Sequence, residues 1–329
     1  MNQHVHDYNL AIGEIFGVSL YWYGAVYTVG FLGVFLWFWF RRHKIGWSRR
    51  DIVEFTISIA VGVLLGGRIF DIAVYEIDYY RMRPIDALNF WKGGLATHGV
   101  LIGGIIAAAL FCNLRKKPFL QMADELVVPA AFLFAVGRLG NFIEGGVIGT
   151  TTSMPWGVVY QNLEGARHPV ALYDSVRNLV LGLFLIVVLR RYPSGRGIAM
   201  SMFVLLYGLL RFFVDMLRDY ESYWMGLGKG QFFNIAMAII GLALLVWFGT
   251  KTRTGETLSR ACEKPIGWAR AVALVVLCLY PLGIPTSWTQ INIEQKRELS
   301  KAAESSLTCL DRSRLRSVLG VATSIANAA

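Results

Sequence analysis

Residues 18–50 read VSLYWYGAVYTVGFLGVFLWFWF and then, without a break, RRHKIGWSRR. Residues 18–40 carry no charged side chain, and residues 41–50 hold five Arg or Lys. An apolar run of roughly 20 residues is long enough to cross the hydrocarbon core of a membrane. Lys and Arg collect in the loops on the cytoplasmic side of such runs. This stretch therefore predicts a span that begins outside the cell and ends in a cytoplasmic loop.

The pattern continues along the chain. Further apolar runs fall at 52–73, 96–112, 126–143, 171–189, 197–217 and 231–249, which makes seven spans. Taking alternate connections, the set that begins with loop 41–50 holds sixteen Lys and Arg, and the other set, which begins with the N-terminal tail, holds six. That bias places the N-terminus outside. The first sixteen residues lack a basic n-region and a small-residue cleavage site, so the first span is expected to direct insertion. A run at 269–284 is shorter and is broken by Pro281, with Pro285 just beyond. It either crosses the membrane or lies on it. Residues 291–304 (INIEQKRELSKAAE) read as a polar helix. The expected fold is an all-α polytopic bundle of seven transmembrane helices, with a possible eighth apolar segment. Residues 1–250 form the membrane domain. Residues 251–329 supply a cytoplasmic loop, that possible segment and a polar tail.

Composition agrees. Of 329 residues, 55% are hydrophobic and 16% charged, where soluble domains carry about 25% charged residues. Ten Trp suit a protein with two membrane interfaces. The net charge of +10 would suggest nucleic acid for a soluble protein. Here the charges lie between apolar runs, so topology and anionic lipid explain them and no nucleic-acid partner is expected. Cys112, Cys262, Cys278 and Cys309 form no C-x-x-C pair. Neither a disulfide framework, nor a metal site, nor a cofactor is expected.

Ionisable residues inside a span are expensive, at roughly 2.5–3.5 kcal/mol each on insertion scales, and mark function or pairing. This chain places Arg68, Asp71, His98, Arg138, Asp174, Arg177, Arg211, Asp215 and Arg218 at depth. Ion pairing that merely holds helices together explains any one of them. It explains the set less well, because arginines outnumber what pairing requires, and the planar guanidinium suits bidentate phosphate recognition. Gly137-Arg138-Leu139-Gly140-Asn141-Phe142 closes the fourth span. Its glycines allow close approach of a backbone or a headgroup, while Arg138 and Asn141 offer donors. His98, flanked by Gly99, opens the third span, and its charge can change near neutral pH. In the sixth span Tyr207, Arg211, Asp215 and Arg218 follow at helical spacing and are expected on one face. Tyr23 lies near the outer end of the first span, where an interfacial aromatic belt is the plain alternative.

Taken in order, these segments resemble the prolipoprotein diacylglyceryl transferase family. The family pattern runs W-Y-G, G-G-R, G-G-x-x-x-H-G, G-R-x-G-N-F, H-P-x-x-L-Y-E, Y-G-x-x-R-x-x-x-E-x-x-R and G-Q. This chain has Trp22-Tyr23-Gly24, Gly66-Gly67-Arg68, Gly93-Gly94 with His98-Gly99, and Gly137 to Phe142. It continues with His168-Pro169 and Leu172-Tyr173, then Tyr207-Gly208 with Arg211 and Arg218, and Gly230-Gln231. It departs from the pattern at Glu144, where the family has Asn, and at Gly146, where the family has Glu. Two further family glutamates appear as Asp174 and Asp215, and Val100 replaces a glycine. The reading is of a divergent member.

The resemblance implies a reaction. The diacylglyceryl group of phosphatidylglycerol moves to the lipobox cysteine thiol of a preprolipoprotein signal peptide, and glycerol 1-phosphate leaves. It implies catalytic roles for His98, Tyr207, Arg138 and Arg211, with His98 or Tyr207 as base. It also implies a phosphatidylglycerol site drawn from Arg138, Asn141, Arg211, Tyr23, Gly137, Gly140, Asp215, Arg218 and Glu144. The implied location is the bacterial inner membrane, with membrane lipid as surroundings and substrate. Two other readings remain: a related lipid transferase with a different acceptor, and a non-enzymatic carrier of anionic lipid. The topology has a direct test. Reporter fusions at residues 45 and 85 should report the cytoplasmic and external sides respectively, and the reverse pattern would sink it.

Overall fold

A computed structural model describes residues 4–9, 11–15, 18–88, 95–160, 163–219, 223–224, 227–250 and 266–284. Gly93, Gly94, residues 251–265, Pro285 and the polar run 291–304 lie outside the described residues, as does the side chain of Tyr23.

Short strands precede the bundle: β1 (His4–His6), β2 (Ala11–Ile15) and β3 (Val18–Tyr21). Helix α1 (Trp22–Ile45) starts four residues later than the apolar run, because Val18–Tyr21 pairs with β2 as an antiparallel hairpin. It ends at Gly46, whose φ of 67° is the left-handed conformation that glycine adopts without strain. Ser48 and Asp51 then form a capping box that opens α2 (Arg49–Phe70). A π-helical turn, Asp71–Tyr75, extends α2. The connection beyond it holds α3 (Ile77–Met82) and a 3-10 turn at Pro84–Leu88. Next come α4 (Thr97–Arg115) and α5 (Phe119–Glu144). The start of α5 lies well before the apolar run at 126, since Pro118 fixes the turn into it. After β4 (Val158–Tyr160) and β5 (Ala166–Arg167) follow α6 (Val170–Arg191) and α7 (Ile198–Asp215). Then come β6 (Tyr223–Trp224), β7 (Leu227–Gly228), α8 (Lys229–Gly249) and α9 (Trp268–Leu279), the last continued by a 3-10 turn at Tyr280–Gly283.

Seven of these helices are long and apolar enough to cross a membrane. The chain is an all-α polytopic membrane protein. The helices alternate in direction, so residues 22, 75, 97, 144, 170, 215 and 229 share one end of the bundle, and 45, 49, 115, 119, 191, 198 and 249 share the other. Large apolar side chains such as Phe233, Ile239, Ile105 and Val187 are exposed on the bundle's surface, as expected where the neighbour is lipid.

Helices α2 and α4 meet through small residues. Gly62 and Gly66 on α2 face Gly99 and Gly103 on α4, each spaced four apart. A side chain on Gly103 would strike the Gly62 carbonyl oxygen, and one on Gly66 would strike the Gly99 carbonyl oxygen. Helix α7 meets α8 in the same way, with Gly208 against Asn234 and Ala238, and Gly241 against Leu205. Lipid tails are as apolar as leucine, so close backbone approach rather than water exclusion drives such contacts. At the end farthest from residue 22, Phe38, Trp47, Phe55 and Phe111 stack with ring centroids 4.8–5.6 Å apart. There the buried Glu125 of α5 takes Arg41 at 2.7 Å and the Trp37 indole at 2.9 Å from α1, which locks α1 to α5. Replacing Gly103 with Val should weaken the α2–α4 pair by about 1–3 kcal/mol, as overpacking does. It should lower the melting temperature in detergent, while Gly33→Ala, in open space, should leave the melting temperature unchanged.

Candidate functional site

One carboxylate organises the polar residues at the end of the bundle that holds residue 22. Asp174, in the second turn of α6, has no exposed side-chain surface. Its Oδ2 lies 3.0 Å from Arg138 Nε of α5, and the same oxygen pairs with Arg211 of α7. Its Oδ1 lies 3.0 Å from Arg177 Nε, one turn along α6. Arg211 also pairs with Asp215 at 2.9 Å, four residues on. Asp215 in turn accepts from Asn234 of α8 at 2.7 Å. Four helices are thus joined by one network of three guanidinium groups and two carboxylates.

The three arginines are not equivalent. Arg177 is bound on every side: besides Asp174 it donates to the Tyr207 carbonyl at 2.9 Å and to Asn178 Oδ1 at 3.0 Å, and it lies over the Tyr207 ring at 4.5 Å. Arg211 is held between two carboxylates and its side chain is 7% exposed. Arg138 also donates to Asn141 Oδ1 at 3.1 Å, yet its side chain is 25% exposed. It is the member of the network with an open face. Tyr207 itself packs its ring against Phe134 and Phe203 beneath Arg177.

Other expected residues fall around this network or apart from it. Gly137 and Gly140 face Val26 of α1, so they let α1 close on α5. Glu144 is the last residue of α5, half-buried, followed by Gly145 at φ 68°. Arg218 departs from the expected shared face. Helix α7 stops at Asp215, and Arg218 forms a backbone bridge with Gly149. The loop after α5 crosses there: Thr150 N–H donates to the Leu217 carbonyl, and Asp219 N–H donates to the Ile148 carbonyl. Gly149 has no room for a side chain between His168 and Val170.

His98 sits on a second cluster. It is exposed at the start of α4, stacks on Phe70 and lies 3.0 Å from the Tyr75 hydroxyl through Nδ1. Arg68, 1% exposed, donates to the carbonyls of Asp86 and Ala87 and lies over the Tyr80 ring. Arg68 thereby anchors the connection after α2.

The N-terminal strand covers the end of α5. β1 pairs in parallel with β4, and the His6 ring stacks on Tyr160 at 4.9 Å with Nε2 2.6 Å from the Phe142 carbonyl. Burial raises the Tyr160 phenol above its ordinary pKa, with Tyr8 adding to the effect. His6, Asn178 and Asn234 were not among the expected residues. Asn178 and Asn234 carry the only available signal, an amide inside an apolar run. An apolar groove of about 310 Å³ between α1 and α5 is lined by Val29, Gly33, Trp37, Phe132 and Leu133, among others. Its lining holds no ionisable side chain, so an anion has no partner there.

The family model described as prolipoprotein diacylglyceryl transferase matches residues 11–247. A phosphatidylglycerol–prolipoprotein diacylglyceryl transferase of Methylibium petroleiphilum is 35% identical over 255 residues, covering 72% of this chain and 95% of the relative. Proteins of the same name from Cupriavidus pinatubonensis and Legionella pneumophila are 32% and 33% identical. They cover 76% and 69% of this chain, and 92% of each relative.

The network makes a stability prediction. Asp174→Asn leaves three inward-facing guanidinium groups with one carboxylate, and breaking a buried pair costs roughly 3–5 kcal/mol. Its detergent melting temperature should fall well below that of Arg138→Ala, which removes the partly exposed member. Equal melting temperatures for the two variants would show that Asp174 is not the hub.

Proposed function

The chain belongs to the prolipoprotein diacylglyceryl transferase family, and we propose that it transfers the diacylglyceryl group of phosphatidylglycerol to the lipobox cysteine of preprolipoprotein signal peptides. The observation that carries this reading is the cation excess of the arginine network. Arg138, Arg177 and Arg211 face Asp174 and Asp215, and the open face belongs to Arg138. Among the ion pairs of the described residues this network joins three cations to two anions, and near the membrane surface it is a fitting receptor for a phosphate headgroup. The domain at work is residues 1–250, in the bacterial inner membrane with the N-terminus outside, so that the site lies on the external side.

In this reading the lipobox sulfur bonds the terminal glyceryl carbon of the diacylglyceryl group. The bond from that carbon to the phosphate oxygen breaks, and glycerol 1-phosphate leaves with the electron pair. Arg138 and Asn141 hold the phosphate, and Arg211 with Asp215 keeps Arg138's partner Asp174 in place. Fixed positive charge at the departing group is electrostatic stabilisation of the kind that dominates many active sites. The thiol must lose its proton to become a strong nucleophile. His98 is favoured over Tyr207 as acceptor, because its ring is exposed, whereas Tyr207 is packed beneath Arg177. In the tautomer that donates Nδ1–H to the Tyr75 oxygen, Nε2 is left to take the proton.

Purified protein with phosphatidylglycerol and a lipobox peptide should release glycerol 1-phosphate and add a diacylglyceryl mass to the cysteine. Arg138→Ala should reduce this by about 10²–10³, the usual effect of losing one preorganised donor, with the fold intact. Arg138→Lys should recover little, since it lacks the planar fork. Lipid exchange between vesicles without headgroup release would instead identify a carrier, and near-normal turnover in Arg138→Ala would remove the clamp.

A further inference from the structure

Residues 266–284 lie against the bundle from one end to the other. At the end opposite the site, Arg270 Nε is 2.9 Å from Glu54 Oε1 of α2. Glu54 also takes Arg50 at 2.8 Å and pairs with Arg115 of α4, so α9 enters a knot that already ties α2 to α4. Midway, Cys278 is buried in the same apolar cluster as Phe31, Ile59 and Val63, with Leu274 and Leu277 packed against it. At the site end the 3-10 turn Tyr280–Gly283 seats on the first turn of α1, where a side chain on Gly24 would strike the Pro281 carbonyl. Glu54 belongs to the beginning of α2 and Gly24 to the beginning of α1. Those helices are antiparallel neighbours, so the two anchor points mark opposite ends of the bundle.

The dimensions agree with a traverse. Twelve α-helical residues and four 3-10 residues rise about 26 Å together, against a hydrocarbon core of about 30 Å. Local thinning of the bilayer accommodates a shortfall of this size. The outward face is apolar, with Val272, Val275, Val276 and Leu279 exposed. Arg270 is the sole charged residue of α9 and is turned to Glu54. A helix lying flat in the interface needs a charged or polar face along its length, and α9 has none. Trp268, 81% exposed, stands at the end where an interfacial belt residue belongs. Lys and Arg number four in residues 251–265 and six in residues 285–329, so the direction of the crossing is set by its two anchor points.

We propose that residues 266–284 form an eighth membrane crossing, which carries the chain beyond Ile284 to the side of the arginine site. The proposal does not rest on the transfer reaction. Cys262 and Cys309 flank the segment in sequence, so the full-length chain reports its own topology. With Cys112 and Cys278 replaced by Ala, single-cysteine proteins retaining Cys262 or Cys309 are treated in spheroplasts with a membrane-impermeant maleimide. Thr151→Cys, exposed in the loop after α5, marks the site's side. Cys309 should label with the sidedness of Thr151→Cys, at least tenfold above Cys262. Cys262 should label only after the membrane is opened. Ala329→Cys carries the same expectation as Cys309 and reads the side if Cys309 resists the reagent. Cys262 and the C-terminal cysteines on one side, or the C-terminal cysteines on the side opposite Thr151→Cys, would overturn the proposal.

Discussion

A buried carboxylate surrounded by three arginines is the constraint on which the site end of this protein depends. Moving Asp174 out of water costs several kcal/mol, and only close, hydrogen-bonded cations repay it. Those cations come from three different helices, so the carboxylate cannot be satisfied until α5, α6 and α7 have met in one register. Asp215 and Asn234 extend the requirement to α8. The geometry of the arginines is therefore a property of the assembled bundle, and Arg138 is held at a fixed position without being buried.

The rest of the bundle is held by a different means. Helices α2 and α4 pack through glycines and carbonyl oxygens, with few polar side chains between them. That contact is rigid because backbones, not flexible side chains, set the spacing. At the far end, Glu54, Asp51, Asp124 and Glu125 each gather cations or backbone N–H groups from neighbouring elements. Asp124, for instance, accepts from the N–H groups of Gly195, Gly197 and Met200 and fixes the turn into α7. At one end the described buried carboxylates are thus taken up in structural pairs, and at the other a cation keeps an open face.

Much of this was legible in the sequence. Seven spans and their alternation followed from apolar runs and basic loops, because lipid imposes that pattern on any chain. Boundaries shifted where local chemistry intervened: a hairpin claimed Val18–Tyr21, Pro118 started α5 early, and α7 stopped at Asp215. The last change took Arg218 off the helical face that spacing alone assigned to it. Asp174 was visible as an intramembrane charge and as a substitute for a family glutamate. Its role as hub was not, since convergence of Arg138, Arg177 and Arg211 on one carboxylate is a tertiary fact that no spacing encodes. Asn178 and Asn234 were equally hidden, as an amide in an apolar run has no partner until the helices pack.

The open arginine also bears on why such a network would favour transfer over mere lipid binding. The phosphate of phosphatidylglycerol is a diester with one negative charge. As the carbon–oxygen bond breaks, the departing glycerol phosphate becomes a monoester and gains charge at the oxygen that held the glyceryl carbon. In the proposed site, attraction between that oxygen and Arg138 therefore grows along the reaction. Interactions that strengthen toward the transition state raise turnover, whereas those equal in both states only tighten binding. Asp174 sets how strong that attraction is. On that proposal it neutralises part of the guanidinium charge in the resting site, which limits how firmly the diester is held. It also keeps the guanidinium from swinging away, so no reorganisation is needed when charge develops. The position of Glu144, where the family pattern has a neutral Asn, follows the same logic. A carboxylate at the end of α5 lies six residues from Arg138, and in its charged form it would oppose an anion at the proposed site.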